Sequence, residues 1–171
     1  LLFNKIIAAL LAGVKKKGIV VYGFIRFMMG FSGLVKKLFK VNIGKHLFGF
    51  LLKKVSLQYN RVCICGGGPL SPKTFKLFNE LGIDFVQGYG LTETSPITHL
   101  NPIDGYIETS VGKPFPGVEV KIVDPDETGN GEIYIKGSMV MQGYYKNTEA
   151  TDEVLMKDGF LKTGDVGRSE E

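Results

Sequence analysis

An α/β fold class is predicted by three features of the 171-residue chain. A strand, glycine turn, helix and strand follow one another between residues 61 and 87; short alternating segments recur after residue 118; and the leader before them carries apolar residues at helical spacing. The expected organisation is an α/β lobe with a partial parallel sheet over residues 1–110, followed by a small β-rich, barrel-like subdomain over 111–171.

The leader comes first. Phe3, Ile6, Ile7, Leu10, Leu11 and Val14 mark an amphipathic helix that ends in KKKG, with cations in the last turn and Gly18 to stop it. IVVYGFIRFMMGFSGLV, residues 19–35, is apolar but slightly shorter than the ~20 residues a span needs. Arg26 at its centre would cost roughly 2.5 to 3.5 kcal/mol in a bilayer, so a buried or membrane-surface hairpin is expected rather than a span. Leu47, Phe48, Leu51, Leu52 and Val55 mark a further helix, and RVCIC a short buried strand. GGGPLSP breaks the chain; Ser71 as N-cap and Pro72 at the first helical position start a helix with Phe75, Phe78 and Leu81 on its apolar face and Gly82 as its stop. IDFVQ follows as a second strand, and the crossover favours a parallel pair. Beyond QGYGLTETSP, VEVKIV and EIYIK alternate around the turn DPDETGNG, which reads as a small antiparallel sheet or barrel. NTEATDEV is a short capped helix, and DGFLKTGD a strand ending on an acidic loop.

With 44% hydrophobic residues, the chain can bury one sizeable core or form two small lobes. Its net charge of +4 conceals a strong segregation. Residues 1–79 hold 14 Lys plus Arg and no Asp or Glu, whereas residues 80–171 hold 7 bases and 17 acids. Neutralisation of one lobe by the other within a larger fold accounts for this pattern; an anionic membrane surface is the external partner that would suit the basic part. Nucleic acid is not expected, because the lysines alternate with apolar stretches. Cys63 and Cys65 alternate onto one face as core fillers, and two cysteines with two distant histidines are too few for a metal site. Without a disulfide framework or a signal-peptide pattern, a cytoplasmic location is expected, with membrane association if the basic segment faces lipid.

In open α/β sheets, ligands collect beyond the carboxyl ends of the strands. GGGP and QGYGLTE leave two successive strands and should open on one edge. Glycines allow close backbone approach, a threonine hydroxyl with nearby amides can hold phosphate oxygens, Tyr89 offers a ring face, and Glu93 can bind Mg²⁺. Each piece has a bland reading as well: a tight turn, or a solvated cap. GGGPLS has Ser71 where a dinucleotide fingerprint needs its last glycine, and no G-x-x-x-x-G-K-[ST] occurs.

YGLTET at 89–94, preceded by GGGPLS and followed in order by VGKPFPG, GEIYIKGSMVMQGYY and KTGD, resembles the adenylate-forming acyl-CoA synthetases, specifically the long-chain fatty acid:CoA ligases (AMP-forming). The resemblance covers about 100 residues, from Gly66 to Asp165. It implies that a long-chain fatty acid is joined to AMP from ATP and then transferred to the CoA thiol. Residue by residue, it implies that Gly66, Gly67, Gly68 and Pro69 lie against adenine and that Gly88 and Gly90 flank Tyr89, which stacks on the ring. Thr92 would bond the α-phosphate, Glu93 would hold Mg²⁺, both acting in catalysis, and Asp165 would bind the ribose. The family's upstream phosphate loop and its C-terminal catalytic lysine have no match here, so the chain is expected to be an internal segment, inactive alone, with edges and apolar helices free to self-associate. Two other readings stand beside this one: a non-catalytic nucleotide or acyl-adenylate binding module, and a basic peripheral-membrane protein.

Overall fold

The computed structural model describes residues 2–68 and 70–169. The chain divides into two compact units: Leu1–Gly88 with Asn101–Gly112, and Tyr89–Leu100 with Lys113–Glu171. The division is not linear along the chain. Residues 89–100 go with the second unit before 101–112 return to the first.

In the first unit, helix α1 (Leu2–Lys15) buries Ile7, Leu10 and Val14. Helix α2 (Ile19–Phe39) corrects the expected hairpin, since residues 19–35 lie within one continuous helix of 21 residues. An interior glycine costs a helix only about 1 kcal/mol relative to alanine. A single buried stripe of Ile25, Met29, Ser32 and Lys36 repeats at helical spacing and offsets that cost. Among the described residues, α2 is the one helix long and apolar enough to cross a membrane by length and composition. The helix expected over 47–55 is two short ones, α3 (Gly44–Leu47) and α4 (Gly49–Lys54), because Phe48 leaves helical geometry while its side chain stays in the core.

Strand β1 (Val62–Cys65) pairs in parallel with β2 (Asp84–Tyr89), Cys63 opposite Phe85 and Cys65 opposite Gln87. Cys63 is buried and Cys65 half-buried on the same face, and both are free thiols. Helix α5 (Pro72–Glu80) makes the crossover. Ser71 holds the N-cap position but its side chain makes no capping bond; Pro72 supplies the start by fixing φ. Phe75, Phe78, Leu81 and Phe85 are almost wholly buried, with Phe78 stacked on Phe85 at 5.0 Å and Phe3 edge-on to Phe85 at 4.8 Å. Each such side chain contributes on the order of 1.5 to 3 kcal/mol by burial.

Gly82 ends α5 at φ +90, and a Cβ there would run into the Lys45 backbone nitrogen. The α5–β2 turn and α3 meet backbone to backbone at this point, which only glycine permits. Beside it, the buried Lys36 Nζ donates to Asn79 Oδ1 and Asp84 Oδ1, both at 2.7 Å, so this charge on the inner face of α2 is paired and hydrogen-bonded. The returning segment is tied locally: Asn101 Nδ2 donates to the carbonyls of Ile107 and Ser110.

In the second unit, a 3₁₀ turn (Thr92–Thr94) precedes β3 (His99–Leu100), which pairs antiparallel with β4 (Lys113–Pro114). Strands β5 (Glu119–Val123), β6 (Gly131–Lys136) and β7 (Leu161–Gly167) form an antiparallel sheet in that order. Of sheet or barrel, the subdomain is a three-stranded sheet. Asp126 builds the β5–β6 turn by accepting the Thr128 and Asn130 amides on one oxygen. Helix α6 (Thr148–Val154) is capped by Asn147, whose side chain accepts the Ala150 amide at 3.1 Å. Ile135, Phe160 and Leu161 are buried, and Lys121 Nζ lies 3.8 Å from the Phe160 ring centre.

Candidate functional site

In the first unit, the glycine turn leaves the carboxyl end of β1. A Cβ on Gly66 would come within 3.5 Å of the Gly88 carbonyl oxygen, so the turn runs beside the end of β2. Gly67 takes φ +75, and Gly66, Gly67 and Gly68 are all exposed. Pro69 lies outside the described residues. The result is an open stretch of backbone with no side chain over it, and a flat group can lie against such a stretch.

In the second unit, Tyr89, Gly90, Thr92, Glu93 and Asp165 are brought together by two local devices. The first is the 3₁₀ turn, which is tied by the buried Thr94. Its hydroxyl accepts the Leu91 amide at 2.9 Å and donates to the Leu91 carbonyl at 3.0 Å. Thr92 is thereby left exposed and Glu93 half-buried. Gly90 precedes the turn where a Cβ would strike the Pro96 carbonyl oxygen, so the chain folds back on itself too closely for any other residue.

The second device is a bulge in β7. Glu132 faces Val166 and Tyr134 faces Lys162, so three residues, 163–165, oppose Ile133 alone. Asp165 therefore sits within an irregular part of β7 rather than on a loop beyond it. Thr163 fixes the bulge: its hydroxyl donates to the Ile133 carbonyl at 2.7 Å and accepts the Asp165 amide at 3.1 Å. This aims the Asp165 carboxylate at Tyr89, whose hydroxyl donates to Asp165 Oδ2 at 2.8 Å. Burial, and after it the Asp165 carboxylate, pushes the Tyr89 phenol up to about 12, so it remains a neutral donor. The His99 ring lies 5.6 Å from that of Tyr89, with Nδ1 2.9 Å from the Thr98 hydroxyl. Burial lowers the His99 pKa below the usual 6.5 and keeps the ring neutral near pH 7.

A cleft of about 330 Å³ opens in this unit, lined by Leu91 and Glu93 of the turn, Glu132, Tyr144 and residues 161–164 among others. Glu93 Oε1 accepts the Tyr144 hydroxyl at 2.8 Å. Among the described residues no cluster of three ligating side chains exists. Glu93 is therefore a single carboxylate donor, suited to a hard cation that takes most of its oxygens from phosphate and water. Tyr144, Thr94 and His99 are the residues that sequence reasoning does not find. Tyr144 lies 51 positions from its partner and in no periodic pattern, and Thr94 differs from Thr92 only in its burial, which spacing does not reveal.

Comparison with known proteins gives a consistent result. Residues 8–145 match the family model described as AMP-binding enzyme. A chloroplastic long-chain-fatty-acid–acyl-carrier-protein ligase of Arabidopsis thaliana is 40% identical over 126 residues, 68% of this chain and 17% of that protein. The Dictyostelium discoideum protein named "Probable 4-coumarate–CoA ligase 3" is 41% identical over 132 residues, 71% of this chain and 24% of that one. The long-chain-fatty-acid–CoA ligase of Salmonella typhimurium is 36% identical over 156 residues, 81% of this chain and 28% of that one. Among solved structures, ATP-bound MatB from Rhodopseudomonas palustris matches with a TM-score of 0.60 and 31% identity, covering 74% of this chain and 28% of that one. The chain spans about a sixth to rather more than a quarter of the length of these relatives.

Proposed function

Because the chain belongs to the AMP-binding enzyme family, we propose that it serves a ligase that activates a long-chain fatty acid with ATP and passes the acyl group to the thiol of CoA. A carboxylate oxygen attacks the α-phosphorus and pyrophosphate leaves; the thiol sulfur then attacks the acyl carbonyl and AMP leaves. This chemistry gathers negative charge around phosphorus and needs oriented donors more than a protein nucleophile. In this reading the ring of Tyr89 stacks on the adenine and Asp165 takes the ribose hydroxyls. Gly88 and Gly90 keep the backbone clear, and the Thr92 hydroxyl donates to the α-phosphate. Glu93 would hold Mg²⁺, which when bound would neutralise phosphate charge.

The observation that carries the reading is the 2.8 Å bond between Tyr89 and Asp165. It joins, across 76 positions, the ring assigned to the base and the carboxylate assigned to the sugar. The long acyl chain is supported by the Arabidopsis and Salmonella relatives, whereas the Dictyostelium relative is named for 4-coumarate. The acceptor likewise differs among them, acyl-carrier protein in one and CoA in others.

The test is ATP- and Mg²⁺-dependent pyrophosphate release by the full-length polypeptide carrying this chain. Medium and long fatty acids and 4-coumarate serve as acids, CoA and acyl-carrier protein as acceptors, beside a Glu93→Ala variant. Release with long acyl chains and thioester on CoA, both much reduced in the variant, is the expected result; nucleotide binding without release from any acid would establish a binding module instead. The 171-residue chain alone is expected not to turn over.

A second reading concerns location. Phe24, Phe27, Phe31, Leu34 and Leu38 form an exposed apolar stripe on α2, with Lys37 and Lys40 near its end. This favours a protein at an anionic membrane surface, which predicts vesicle binding that weakens with salt and survives loss of Thr92 and Glu93.

A further inference from the structure

We propose that Tyr144 is a positioning residue for Glu93: its hydroxyl holds Glu93 Oε1 at 2.8 Å and so presents Oε2 to a metal-bound nucleotide in the cleft. The inference rests on the assignment of Glu93 above and deepens it. A glutamate on a short 3₁₀ turn has three side-chain torsions to settle before its carboxylate can serve as a ligand. A donor on one oxygen settles them in advance, as outer hydrogen bonds do for metal-ligating side chains generally.

The donor is itself held in place. The Tyr144 amide donates to Thr151 Oγ1 at 2.9 Å, and that hydroxyl donates to the Asn147 carbonyl at 2.7 Å, so the first turn of α6 fixes the backbone that carries the ring. The same segment straps the 3₁₀ turn at two more points. The Met141 amide donates to the Glu93 carbonyl at 2.8 Å, and Ser95 Oγ donates to the Met139 carbonyl at 2.9 Å.

The identity of the donor matters. A lysine or arginine in place of Tyr144 would orient the carboxylate but neutralise it, whereas a phenol leaves its charge for the cation. Tyr144 is 38% exposed, so core packing does not explain an aromatic residue there. Its hydroxyl has a specific partner, whereas the neighbouring Tyr145 is 88% exposed.

The experiment measures Mn²⁺ affinity by electron paramagnetic resonance in the full-length protein loaded with a non-hydrolysable ATP analogue. Wild type, Tyr144→Phe, Glu93→Gln and the double variant are compared. Loss of an outer hydrogen bond to a metal-ligating carboxylate should weaken Mn²⁺ binding by about 10- to 100-fold in Tyr144→Phe. Glu93→Gln should weaken it at least as much, and the double variant should match Glu93→Gln, because Tyr144 acts through Glu93. Tyr144→Gln, which restores a donor, should recover part of the loss and serves as the second variant if the phenylalanine form does not fold. Wild-type affinity in Tyr144→Phe, or an equal further loss when it is added to Glu93→Gln, overturns the proposal. Unchanged affinity in Glu93→Gln overturns the assignment of Glu93 itself, and the role of Tyr144 with it.

Discussion

His99 shows how much a single side chain can report about the site. Its ring lies beside Tyr89 and burial holds its pKa below 6.5. The folded state therefore binds this proton less readily than the unfolded chain does. Its contribution to stability is complete above about pH 6.5 and is lost as pH falls through the lowered value. Denaturant midpoints near pH 7.5 and near pH 5 should differ in wild type, and the difference should shrink in His99→Gln. Tyr89→Phe keeps the ring and deletes the bond to the Asp165 carboxylate, so it should weaken AMP binding by about tenfold or more in a titration, the worth of one hydrogen bond to a charged group. At this scale the sequence was informative where chemistry and order coincide. Tyr89 lies between two glycines at the end of a strand, and Thr92 and Glu93 follow the second of them, which is a recognisable pattern. Tyr144 and Thr94 were illegible because their roles depend on which atoms the folded chain brings within 3 Å.

Elements whose two faces differ sharply were the ones readable in advance. The β1–α5–β2 crossover and the β5–β6 hairpin combine a turn with a clear period, α6 is announced by its Asn147 cap alone, and all three form where expected. The hairpin expected over residues 19–35 rests on their length and on the charge of Arg26, neither of which breaks a helix; the buried stripe that makes one helix of them includes a serine and a lysine, which periodicity of apolar residues alone does not count. The contact between the α5–β2 turn and α3 is equally invisible in sequence, yet it sets a strict demand at Gly82. Gly82→Ala combines a left-handed backbone with a collision against Lys45, and should cost about 2 to 4 kcal/mol in chemical denaturation. A loss below 0.5 kcal/mol would mean that the two backbones are not in contact.

At the scale of the whole molecule, the chain visits each unit twice. The alternating segments that begin after residue 118 predict a linear division near residue 110; the returning segment 101–112 carries no signal of its destination. One outcome follows directly. A polypeptide of residues 113–171 retains all three strands of the β5–β6–β7 sheet but lacks the partner of β4 and the Thr98 carbonyl that accepts the Phe115 amide at 2.9 Å. Hydrogen exchange should therefore show amides of β5 and β6 protected in that polypeptide and the amide of Phe115 exchanging freely, whereas in the complete chain both are protected.

The double visit also bears on recombination between relatives. A single crossover that falls between residues 101 and 112 would draw the turn bearing Thr92 and Glu93 from one parent and the strand bearing Asp165 from the other. Tyr89 would then have to find its carboxylate on a bulge selected in a different lineage. A chimera intended to exchange this unit intact needs two breakpoints on its amino-terminal side, one just before Tyr89 and one just after Leu100, with a third at Lys113 where the chain re-enters it.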